Sequence, residues 1–286
     1  MELKRTYWED VQTPTLKLPS LSCDAHCHIF GPAEKFSYAS DRSFTPVDAP
    51  KEKLFALHKK LGIERCVIVQ SALHGFDNSV VVDAMQARPG EYLGVALTSA
   101  SVTSDKLKNM YQQGFRGVRF NFMAHLKNSD SMEDILELTK RLEPLGMHLQ
   151  VHFSSDLIHD LAPQLQQSAV PVMIDHIARV DASKGAMHAD FQKLLHLLDD
   201  PKFYVKVSGV DRIDKVPPYD QGVALAKTLV DRFTEKCVWG TDWPHPNHHH
   251  MPHDEILLDS IARIADSENK IKHIMVSNPE KFYQFQ

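Results

Sequence analysis

Eight short apolar runs alternate with stretches of helical spacing along this chain, and few folds accommodate that order. The runs are SCDAHCHIF (22–30), ERCVIVQ (64–70), EYLGVALT (91–98), FRGVRFNF (115–122), MHLQVHF (147–153), VPVMIDH (170–176), KFYVKVSG (202–209) and KCVWGTD (236–242). Runs rich in Val and Ile, each followed by room for a helix, describe buried parallel strands joined by helical crossovers. Eight such units predict a single α/β domain over 1–286, a (β/α)8 barrel, and the chain length suits one large barrel. Between the strands, Leu54, Leu57 and Leu61 recur at helical spacing before Gly62, and Ile135, Leu138 and Leu142 do so before Gly146. Both stretches, 51–61 and 132–145, therefore read as helices of the outer ring, and 187–198 and 254–264 share the spacing, with Asp254 placed to cap the last. The stretch 31–50 has Gly, Pro and Ser in place of periodicity and reads as an active-site loop and lid candidate.

Charge excludes some classes of partner. A net charge of −5 offers no general attraction to nucleic acid or anionic lipid, so an anionic ligand must meet local Arg or Lys. The N-terminal stretch lacks the apolar centre of a signal peptide, and no stretch approaches the roughly 18 apolar residues of a membrane span. These features predict a cytoplasmic protein with no nucleic-acid or membrane partner. Cys23, Cys27, Cys66 and Cys237 lie in apolar runs and read as buried free thiols; strand alternation turns Cys27 away from the histidines beside it.

In a barrel of this kind chemistry gathers at the carboxyl ends of the strands. Those ends carry His26 and His28 on strand one, His152 on strand five, His176 on strand six and Asp242 on strand eight. Histidines two apart on a strand project to one side, and closure brings strand eight beside strand one, so His26, His28 and Asp242 are expected to share a site. A lone histidine among 17 is ordinarily a surface or core residue; four of them plus an aspartate at strand ends form a reaction centre. Arg119 and Arg212, near the ends of strands four and seven, suit a substrate carboxylate, although Arg119 equally fits an internal ion pair. Lys206 fits equally an inward-pointing side chain or one packed under a helix, and the run His248, His249, His250 reads as a solvated loop, since successive loop residues rarely converge on one ion.

The segments CDAHCHIFGP, VIVQSALHGFDN, GVRFNF, IDHIAR, VSGVDR, WGTDWPHPN and NPEKFY together resemble the amidohydrolase superfamily, in the branch of pyrone-dicarboxylate and related lactone hydrolases. The resemblance implies opening of a carboxylated lactone of aromatic catabolism, with Asp242 as general base for water and His26, His28 and His176 polarising the carbonyl. It implies further substrate contacts from Arg119, Arg212, Ser71, His74, Asn247 and the positions of Phe44 and His125. That branch carries a tyrosine where Phe44 stands and an arginine near His125, so a related lactone with a different acidic group is also expected. His152 completes the donor set of metal-dependent relatives, which implies one divalent ion, zinc or manganese, on His26, His28, His152 and Asp242; the alternative is no cofactor. No lysine stands at the ends of strands four or five to bridge two metals. A non-oxidative decarboxylase on the same barrel is the alternative reaction, and a non-catalytic binder of small acids the less favoured reading.

Overall fold

The computed structural model describes residues 2–123 and 130–286. Its central sheet has eight strands: β1 (Cys23–Cys27), β2 (Arg65–Val69), β3 (Tyr92–Leu97), β4 (Phe115–Phe122), β5 (His148–Phe153), β6 (Val172–Ile174), β7 (Phe203–Lys206) and β8 (Cys237–Val238). Each pairs in parallel with its successor in sequence order. Around them run α1 (Lys51–Leu61), α2 (Ser79–Ala87), α3 (Ser104–Gln113), α4 (Met132–Leu142), α5 (Ile158–Leu165), α6 (Ala189–Leu198) and α7 (Asp220–Phe233). This is the expected (β/α)8 barrel.

Local chemistry explains the helix ends. Helix α1 stops at Gly62, whose φ of 77° lets the chain turn left-handed at no steric cost. Helix α4 starts on Ser131, whose hydroxyl accepts from the Asp134 N–H. The stretch 254–264 is two short helices, Asp254–Asp259 and Ile261–Ile264. Asp254 does not cap the first of them; buried, it faces His245 Nε2 at 3.1 Å.

The seam between β1 and β8 closes through single backbone bonds, from Ala25 N–H to Trp239 O at 2.8 Å, His28 N–H to Trp243 O at 2.6 Å and Asp242 N–H to His26 O at 2.7 Å. Asp24 reinforces it: Oδ1 accepts from the N–H groups of His26 and Thr241 at 3.0 Å, and Oδ2 from the Thr241 hydroxyl at 2.6 Å. Backbones approach so closely here that a Cβ on Gly240 would lie 2.4 Å from His26 N, so only glycine fits.

Apolar packing forms two layers. The larger core fills the space between helices and barrel; a smaller one lies in and under the barrel, where Cys23, Ala25, Val67, Val69 and Met173 meet Tyr283 and Phe285 of the C-terminal segment. All four cysteines are free and buried, and Cys27 faces Cys66, away from the histidines, with the two Sγ atoms 3.1 Å apart. Among the described residues no helix is long and apolar enough to cross a membrane.

Candidate active site

Strand pairing sets the depth of the site. His26 lies on β1, and Asn121 on β4 stands opposite His152 on β5, which brings these side chains to the carboxyl-terminal mouth of the barrel. Regular pairing in β6 and β8 ends earlier than the sequence suggests, at Ile174 and Val238. His176 and Asp242 are therefore held by turns. Asp242 is left-handed, with φ 60°, and His176, Ile177, Ala178 and Arg179 form one left-handed turn with φ of 47°, 53°, 50° and 55°. Four successive non-glycine residues in this region, one of them β-branched, are costly alone and persist only where surrounding structure imposes them.

The imidazoles converge on one carboxylate oxygen. His28 Nε2 is 3.3 Å from Asp242 Oδ1, and His26 Nε2 and His176 Nε2 are each 3.7 Å from it. The two Nε2 atoms of His26 and His28 are 3.3 Å apart. His28 Nδ1 donates to the Val69 carbonyl at 2.7 Å, and His176 Nδ1 meets the Ser208 hydroxyl at 3.1 Å. Beneath them lies a second buried group: Asp175 Oδ2 accepts from Arg119 Nε at 2.8 Å and from Gln150 Nε2 at 3.1 Å, and Lys206 Nζ is 3.4 Å from Oδ1.

Burial and these charges set protonation. Burial would raise the Asp242 carboxyl, but Arg212, His176, His28 and His26 outweigh it and hold it well below the usual carboxylate range. Burial, aided by Lys206, takes His26 down to about 3, and burial also pulls His152 and His176 well below the ordinary histidine value. At neutral pH an ionised Asp242 therefore stands among the neutral imidazoles of His26, His152 and His176.

A narrow cleft opens over this group, lined by His28, His152, His176 and Asp242, by Ser43, Ser71 and Asn247, and by Arg119, Arg179 and Arg212. Arg119 and Arg212 are engaged, the latter through Nε on Asp242 Oδ2 and through Nη2 on the Pro246 carbonyl at 3.1 Å. Arg179 has no carboxylate partner among the described residues; burial and the nearby Arg212 draw its guanidinium down to about 10.

Residues 23–285 match the profile of a family described as amidohydrolase. The chain belongs to the amidohydrolase family. It is 34% identical, over 97% of its length and 94% of the relative's, to a 2-pyrone-4,6-dicarboxylate hydrolase of Comamonas testosteroni. It is 38% identical, over 93% of its length and 89% of the relative's, to a 4-sulfomuconolactone hydrolase of Hydrogenophaga intermedia. Among solved structures, a probable 2-pyrone-4,6-dicarboxylic acid hydrolase of Acinetobacter baumannii with citric acid bound superposes with a TM-score of 0.84 at 26% identity, covering 93% of this chain and all of that one.

In this amidohydrolase the structure brings together most residues expected from sequence and separates others. His26, His28, His176, Asp242, Arg119, Arg212, Ser71 and Asn247 meet at or beside the cleft. His74 does not line it: Nδ1 donates to the Ser37 carbonyl at 3.0 Å and Nε2 accepts the Gly31 N–H at 3.1 Å, so the ring braces the loop 31–50. Phe44 is likewise a core residue, packed edge-on to Phe30. His125 lies outside the described residues. His248 is not solvated, being buried against Asp211 Oδ2 at 2.5 Å, while His249 is exposed. The loop 31–50 reaches the cleft through Ser43, whose hydroxyl is 3.4 Å from Asn247 Oδ1.

The donor set fits a single divalent ion in one respect. Among the described residues Asp242 Oδ1 is buried without a hydrogen-bond partner, and His26, His28 and Asp242 offer ligand atoms within 4.8 Å of one another. His152 belongs to no such group among the described residues; its Nδ1 meets Asn121 Oδ1 at 3.2 Å and its Nε2 has no partner. Sequence reasoning missed Arg179. Its signal was present in the segment IDHIAR, but the turn that carries it back over the mouth has no periodicity to reveal it.

Proposed function

We propose that this amidohydrolase opens the ring of a small lactone bearing at least two acidic groups, of the pyrone-dicarboxylate or sulfomuconolactone type named for its relatives. The observation that carries the reading is the Arg179 guanidinium, which has no carboxylate partner among the described residues and is set with Arg119 and Arg212 in the cleft beside Asp242. A partly desolvated cation without a counter-charge is costly, and an acidic group of the substrate would supply one.

Asp242 is the general base. It takes a proton from water as the oxygen adds to the lactone carbonyl; the ring C–O bond then breaks and the protonated Asp242 returns that proton to the leaving oxygen. Arg212 restrains this base while it is bound to Oδ2. A substrate carboxylate that draws Arg212 toward itself removes the group most responsible for lowering the Asp242 carboxyl, so the base strengthens when substrate is in place. Neutral His176 and His26 lie beside the reacting position, where N–H donors meet the developing oxyanion in a site shielded from water. A divalent ion, were it present, would be held by His26, His28 and Asp242, with His152 as the expected further donor, and would supply Lewis-acid polarisation of the carbonyl.

The test is a panel of carboxylated and sulfonated lactones, with their methyl esters, followed by ring-opened product and by CO2 release. Turnover of the diacids with acid release supports the reading. CO2 evolution, or equal turnover of acids and esters, overturns it.

A further inference from the structure

Lys206 stands in the middle of the barrel with its side chain wholly buried, between the catalytic histidines and the layer below. Its Nζ is 2.9 Å from Gln150 Oε1 and 3.1 Å from His26 Nδ1, and it forms an ion pair with Asp175. An ammonium has hydrogens to give and no lone pair to receive one, so His26 Nδ1 is the acceptor in this contact. A neutral imidazole that accepts at Nδ1 carries its hydrogen on Nε2. His28 Nδ1, 2.7 Å from the Val69 carbonyl, donates there. The hydrogen on His26 Nε2 therefore lies in the 3.3 Å gap to His28 Nε2, where a divalent ion would need a lone pair from His26. The order runs from Lys206 through His26 toward His28.

We infer that Lys206 is a positioning residue that fixes His26 in the Nε2–H tautomer, so that the His26–His28 pair is closed by a proton where a divalent ion would require two lone pairs. Asp175 is the competitor. Its Oδ1 lies 3.3 Å from His26 Nδ1, and a hydrogen on Nδ1 given to that oxygen would free Nε2 for a metal, the arrangement by which carboxylates commonly orient ligand histidines. Asp175 Oδ1 makes no hydrogen bond, however, while Oδ2 is taken by Arg119 and Gln150; Lys206 holds Nδ1 instead. A fixed cation next to the ring also repels a second cation on its far side. Removing Lys206 hands Nδ1 to Asp175 and turns the pair into a metal site. The catalytic meaning of this order rests on the function proposed above, but the proton order itself does not.

Two measurements without substrate test it. In protein with 15N-labelled histidine, assigned by comparison with His26→Asn, the ring of His26 is expected to carry hydrogen on Nε2, and in Lys206→Met on Nδ1. In chelator competition, Lys206→Met is expected to bind zinc roughly 10- to 100-fold more tightly than the wild-type chain, the scale on which groups behind ligand histidines act. A wild-type His26 with hydrogen on Nδ1, or equal zinc affinity in the two proteins, overturns the inference. Should Lys206→Met fail to fold, the wild-type spectrum alone decides. An inactive enzyme with the expected spectrum would remove the lactonase reading and leave this one standing.

Discussion

Under the proposed function Arg179 serves recognition and Asp242 chemistry, and single substitutions separate the two. Asp242 is left ionised by its neighbours, and an amide in its place accepts no proton from water while filling the same space. Asp242→Asn is therefore expected to fold normally and to lose turnover by roughly 10²- to 10⁴-fold, the contribution of a positioned general base. Retention of more than a tenth of wild-type turnover would point to another base. Among the described residues Arg179 makes no ion pair, so truncating it strips none of their carboxylates of a partner. Arg179→Met should leave thermal stability unchanged and weaken binding of a diacid by about 2–5 kcal/mol, seen as a raised KM with a smaller change in kcat. An unaltered KM for the diacid would show that another group holds the substrate. Arg212 is the less clean probe, because its loss also releases the base.

The eight strands and the ring helices were readable because burial on a pleated strand and on one helical face leaves periods in the sequence. His26, His28 and Asp242 were readable by the same logic, being at or just beyond strand ends. What lies on turns was not. His74 and Phe44 were expected at the substrate from the family resemblance, yet the direction of a loop side chain follows from tertiary contacts, and both point into the protein. The turn 176–179 is the clearest case, since propensity opposes a left-handed path through His, Ile, Ala and Arg and no glycine marks it. That strain gives a prediction. Ala178, at φ 50° and buried, loses one methyl contact of about 0.8 kcal/mol on change to glycine but sheds a left-handed penalty of about 1–2 kcal/mol. Ala178→Gly is expected to match or exceed the wild-type chain in urea unfolding, against the usual loss for such a change. A clear loss of stability would mean that the turn is not strained.

At the scale of the whole barrel, ionisable groups run along its axis from the mouth to the base. Asp242 and the three histidines lie above, Asp175 and Lys206 in the middle, and His148 below, packed against Phe282 and Tyr283 with neither ring nitrogen hydrogen-bonded. Folding therefore requires several imidazoles to stay neutral. Burial, with Lys206 next, takes His148 down to about 3, as it does His26, and places His152 and His176 well below the ordinary value. In the unfolded chain the same residues titrate near 6.5. Above that pH neither state binds these protons, and the stability they allow is fully present. As the pH falls below about 6.5 the unfolded chain takes up protons that the folded chain refuses, so stability declines until the folded values near 3 are passed. Each such histidine contributes a slope of up to about 1.4 kcal/mol per pH unit across that window. Asp175 and Asp242 work at lower pH: their folded values are depressed, so what they contribute is present above about 4 and is lost only below it. The unfolding midpoint in urea is thus expected to be flat from pH 8 to 7 and to fall steeply from 6.5 to 4.5. His148→Leu, which removes one of these imidazoles at a distance from the cleft, should reduce that slope by about one proton while sparing turnover. A midpoint independent of pH between 7 and 5 would mean that the barrel admits charged histidines, and the neutral imidazole site on which the proposed chemistry depends would have to be abandoned.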